Sequence, residues 1–127
     1  MKKILLILSA LIFSASTLFA QSVQGTWTIN FSSPEGEPVA VALTLAENTY
    51  TVDFGNDGEH EVEGSYTLEG ETMTVWDTSG NPDYMCEANA KGIYTITLTD
   101  ATMTMTRISD ECKGRGGPSG VMEFSRQ

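Results

Sequence analysis

Residues Gly92–Ile108, GIYTITLTDATMTMTRI, alternate apolar and polar side chains almost without a break, and no other stretch limits the fold so sharply. Two such runs, rich in Thr, Ile and Tyr and separated by a turn signal, are the pattern of paired strands. With the turn centred on Thr99–Asp100, Ile96 falls opposite Met103 and Tyr94 opposite Met105. Thr95, Thr97, Thr102 and Thr104 then share the other face. A slip of one residue would mix the two faces, so the apolar set defines the pairing. Cys86 and Cys112 come to nearly opposite positions beyond the strand ends. The expectation is an amphipathic β-hairpin whose open end is stapled by a Cys86–Cys112 disulfide.

The first residues read as a leader. Lys2 and Lys3 precede the apolar run Ile4–Phe19, and Ala20 precedes Gln21, which together read as a signal peptide over residues 1–20. The run is short for a membrane span and diluted with Ser and Thr, and no cysteine follows the cut to carry a lipid. A secreted or periplasmic protein with no membrane anchor after cleavage is expected. Two cysteines in an exported domain are most simply one disulfide, which at this loop size stabilises by roughly 3 kcal/mol. Without Lys2 and Lys3, five of the seven basic residues remain against seventeen acidic ones. Nucleic acid and anionic membranes reward the opposite charge, so neither is an expected partner.

Residues 21–127 suffice for one domain with a modest core. No helical period follows the leader. Instead, period-two runs are separated by Gly, Asn, Asp, Ser and Pro. Gln24–Phe31, Pro38–Leu45, Thr49–Phe54, Glu59–Leu68 and Glu71–Asp77 precede the hairpin, and Gly120–Arg126 follows it. Eight successive antiparallel strands with one apolar face each close most economically into an all-β, eight-stranded up-and-down (meander) barrel. A two-sheet sandwich is the alternative. Counted up and down, the connections Ser32–Glu37, Gly55–Gly58, Thr78–Lys91 and Ser109–Ser119 fall at one end. The short turns Ala46–Asn48, Glu69–Gly70 and Thr99–Asp100 fall at the other. A ligand mouth belongs at the end with the long loops.

Gly25-Thr26-Trp27 matches the G-x-W of the first lipocalin strand, and Arg126 ends the last strand at the same end as Trp27. The chain thus resembles the lipocalin and calycin barrels, in which such an arginine packs over the tryptophan at the closed end. A cation over an indole is favourable in its own right. It lacks the C-terminal helix and the T-D-Y motif of the usual family. Gly92-x-Tyr94-Thr95 and Ser109-Asp110-x-Cys112-x-x-Arg115 look like small secreted lipocalin-like bacterial domains. That resemblance implies fold more than activity.

Tyr94, Ile96, Met103 and Met105 are the expected ligand-binding wall, since Met adapts to varied apolar shapes. Arg107 follows the methionines in phase and should point inward near the mouth. There it either meets the anionic head of a ligand or makes a salt bridge with Asp110, Glu111, Asp77 or Asp53. Arg115 is expected to brace the Gly-rich loop against Asp110. Whether the interior is hollow or filled stays open at this stage. His60 among Glu59, Glu61 and Glu63 reads as solvated rather than as a metal or haem ligand, and no metal or other cofactor is expected. No nucleophile has a base beside it, and no carboxylate pair stands out. The expectation is a monomeric, non-catalytic binding protein that takes a small hydrophobic or amphipathic ligand. The alternative is a protein-interaction barrel such as a secreted protease inhibitor.

Overall fold

The computed structural model describes residues 22–32 and 35–127; the expected signal peptide lies outside these residues. The described chain is all-β. Its strands are β1 (Gly25–Ser32), β2 (Pro38–Leu45), β3 (Thr49–Phe54), β4 (Val62–Glu69), β5 (Thr72–Gly80), β6 (Lys91–Leu98), β7 (Thr102–Asp110) and β8 (Val121–Arg126). Each pairs antiparallel with the next and β8 returns to β1, which makes a closed meander barrel and excludes the sandwich. The short connections gather at one end and the long ones at the other, because a meander alternates its turns between ends.

The alternating side chains set the core. Trp27, Tyr94, Met73 and Met103 are completely buried, and Tyr50, Tyr66, Ile96, Met105 and Phe124 join the same cluster. Burial of such a side chain contributes about 1.5–3 kcal/mol. At the closed end the Trp27 indole N–H donates to Val23 O at 2.8 Å, so its polar edge is satisfied inside the core. Arg126 covers it, with Cζ 4.1 Å from the ring centroid. The same guanidinium donates to the carbonyls of Ser22, Gln24 and Asp100. One side chain thereby ties the incoming chain, the β6–β7 turn and the end of β8 into a floor.

The hairpin differs from the expected register by two residues. Ile96 pairs with Met105 and Leu98 with Met103, so the turn centres on Asp100–Ala101. A two-residue displacement keeps every side chain on its face, which is why alternation alone does not discriminate between the two. The turn decides. The Thr99 hydroxyl accepts from the N–H groups of Ala101 and Thr102 at 3.2 and 3.0 Å, and Thr99 N donates to Thr102 O.

Two β-bulges re-aim residues near the open end. In the β4–β5 pair Glu63 meets Ser79 and Gly64 meets Asp77, which leaves Thr78 as the extra residue. In the β6–β7 pair Ile93 meets Ser109 and Tyr94 meets Arg107, with Ile108 extra and exposed. Beyond Ile108 the phase reverses, and Asp110 turns inward opposite Gly92. The ladder between β1 and β8 is short: Trp27 pairs with Arg126 and Thr28 with Ser125, and no pairing continues toward the open end among the described residues.

Candidate functional site

A cavity of about 410 Å³ occupies the upper half of the barrel. Its lower wall is apolar, built from side chains such as Leu43, Leu45, Val75, Met105, Met122 and Phe124. Its rim includes Tyr84 and Cys86 of the β5–β6 loop and Cys112, Lys113 and Gly114 of the β7–β8 loop. The interior is thus hollow rather than filled. Tyr84, half exposed, stacks on Phe54 with ring centroids 5.1 Å apart.

The Cys86–Cys112 disulfide joins these two loops, with Cα atoms 5.8 Å apart. Beneath it lies a polar network of two matching halves. Asp77 accepts the Cys86 N–H at 2.8 Å and the Tyr50 hydroxyl at 2.6 Å. Asp110 accepts the Cys112 N–H at 2.8 Å and the Tyr94 hydroxyl. Arg115 stands between them. Its Nε and Nη2 donate to Asp110 at 2.9 and 2.8 Å, and Nη2 also donates to Ala90 O at 2.8 Å. Nη1 lies 3.6 Å from Asp77, close enough to attract but not to hydrogen-bond.

Each half needs a glycine. A Cβ on Gly64 would run into the Tyr50 ring, and one on Gly92 into the Asp110 carboxylate and the Tyr94 ring. An inward glycine in a strand often marks such a close approach. Gly116, with φ near +93°, passes so close to the Tyr94 hydroxyl that no side chain fits there.

The network shifts proton affinities. Burial pushes the Asp110 carboxyl up, but hydrogen bonds from Arg115, Tyr94 and Cys112 N outweigh it and hold the group below the ordinary carboxylate range. Burial, reinforced by the bond to Asp77, pushes the Tyr50 hydroxyl far above its ordinary value. Burial and then the bond to Asp110 do the same to Tyr94. Both phenols are neutral donors at any physiological pH.

Among the expected wall residues, Tyr94 and Met105 line the cavity, whereas Ile96 and Met103 are buried in the core and do not reach it. Arg107 is not in the cavity wall, contrary to expectation. Tyr94 fills the space beside it, and the Gly-rich loop folds over its guanidinium, whose Nη1 donates to Arg115 O and Gly117 O at 3.3 Å each. It makes none of the salt bridges weighed for it. The cavity's arginine is Arg115, which braces its loop against Asp110. Asp77, Tyr50 and the two glycine niches were not singled out as a group in the sequence. Their signal was the glycine at an inward strand position.

His60 meets Glu63 at 2.8 Å, both exposed. Asp53, Asp57 and Glu61 bring carboxylate oxygens within 4.8 Å of one another. Asp53 accepts the N–H groups of Asp57 and Gly58, and Glu61 that of Phe54, so these groups shape the β3–β4 turn. No protein-family model, no curated protein and no solved structure matches the chain.

Proposed function

We propose that this protein is an exported, non-catalytic binding protein of lipocalin-like type, which takes a small hydrophobic or amphipathic ligand in its barrel. The observation that carries the reading is the 410 Å³ cavity, apolar below and polar near a mouth braced by a disulfide. Sites for small ligands have this volume range and this division between apolar wall and few placed polar groups. A disulfide joining the loops of the mouth suits an oxidising compartment outside the cytoplasm. The arginine-capped tryptophan at the opposite end supports the lipocalin-like assignment.

The test is native mass spectrometry of gently purified protein, followed by titration with an environment-sensitive hydrophobic probe. The expected result is a one-to-one complex that Val75→Trp, placed to fill the cavity, abolishes without loss of the folded circular dichroism spectrum. Equal probe binding by the wild type and a folded Val75→Trp variant would place binding elsewhere and end the proposal.

A further inference from the structure

The charged groups at the polar end of the cavity differ in how fully their partners occupy them. Asp77 and Arg115 line the cavity, and Asp110 stands behind Arg115, outside the lining. Asp110 is saturated, since four donors converge on its two oxygens: Cys112 N, the Tyr94 hydroxyl, and Arg115 Nε and Nη2. Arg115 keeps one donor group unpartnered, but that group is shielded from solvent. Nε and Nη2 are engaged, and Nη1 is buried without a hydrogen-bond partner, 3.6 Å from Asp77. An anionic head group entering the cavity therefore finds no accessible guanidinium donor.

Asp77 is in the opposite state. It lines the cavity and, among the described residues, accepts two hydrogen bonds, from Cys86 N and the Tyr50 hydroxyl. A carboxylate has about four acceptor positions, so capacity remains, and its share of positive charge is the more distant one. The remaining cation of the wall, Lys113, is exposed on the rim. Tyr50, Phe54 and Tyr84 line the same cavity, and aromatic faces attract cations. A buried carboxylate with spare acceptor positions, beside aromatic rings and above an apolar floor, complements one ligand chemistry best.

We infer that the cavity selects amphipathic cations, an organic ammonium whose N–H group meets Asp77 while its apolar tail fills the lower wall. The inference rests on the binding reading above and gives it a head-group class.

The experiment compares decylamine, decanol and decanoate, three ligands with one tail, by calorimetric titration of the intact protein at neutral pH and physiological salt. Decylamine is expected to bind at least about ten-fold more tightly than decanol, the signature of a charge-assisted contact, with decanoate weakest. Asp77→Asn keeps an acceptor for Cys86 N and is expected to erase the amine's advantage while decanol binding persists. Glu123→Gln, on the exposed outer face of β8, is expected to leave the advantage intact. Decanol or decanoate binding as tightly as the amine would overturn the inference and leave the binding reading standing. An equal loss with Glu123→Gln would overturn it too, by showing attraction to surface charge. If none of the three binds, the binding reading fails and the inference falls with it. Where Asp77→Asn does not fold, the wild-type series and Glu123→Gln decide.

Discussion

Arg115 divides itself unevenly between two aspartates, and that asymmetry governs how the mouth responds to pH and to substitution. The planar fork satisfies both oxygens of Asp110, a geometry that a lysine cannot reproduce. The Asp110 carboxyl is held below its ordinary value, so its stabilisation is complete above about pH 4 and is lost as pH falls further. Tyr50 and Tyr94 act in the other direction. Their raised values stabilise the fold below about pH 10, and that contribution disappears as pH rises beyond it. Urea unfolding across pH should give a plateau between these limits. In Asp110→Asn the acid limb should flatten and the plateau fall by about 3 kcal/mol, because Arg115 loses its closest counter-charge in a buried site. An acid limb identical to that of the wild type would show that Asp110 does not control it. In sequence this network was half visible. Arg115 and Asp110 stand close together in one loop and suggested their own pairing. Asp77 belongs to a distant strand, and only closure of the barrel brings it to them.

Among the elements, the β5–β6 and β7–β8 loops are held twice, once covalently and once through the backbone. The disulfide joins them, and each half-cystine N–H is also fixed by an inward aspartate. Replacing both cysteines by alanine should cost about 3–4 kcal/mol, the loop-closure term for a separation of 26 residues. The network should still hold the loops in place, so probe affinity should change only a few-fold. Loss of probe binding in a folded double variant would mean that the aspartates alone do not maintain the mouth. The hairpin shows what period-two alternation conveys and what it leaves out. It placed Tyr94, Ile96, Met103 and Met105 on the inner face, because faces follow from parity. It left the register to the turn, where a single hydroxyl, that of Thr99, displaced the pairing by two residues. It also mislocated the cation of the cavity. The bulge at Ile108 and the loop over Arg107 depend on contacts between segments, which no local pattern records.

The molecule as a whole is a ring of eight strands, and that much was legible from the count of apolar faces and the segregation of long loops from short ones. The hollow interior was not, since it depends on how far each inward side chain reaches. Glycines at two inward positions, 64 and 92, let Tyr50 and Tyr94 lie against the wall. The short β1–β8 ladder sets the mechanics of the ring. Every other neighbouring pair shares at least four register positions, whereas this one shares two, both beside the floor. Amide hydrogen exchange should therefore be fastest, within the strands, at Asn30–Ser32 and Val121–Glu123, and uniform protection around the barrel would contradict this. A hoop with one short weld parts there first. Under heat or acid it springs into a curved ribbon with two bare edges, each lined with unpaired amides and carbonyls. Two such ribbons can stitch together in the register that one ribbon uses with itself, so the first aggregate formed by the stressed protein should be a strand-exchanged dimer.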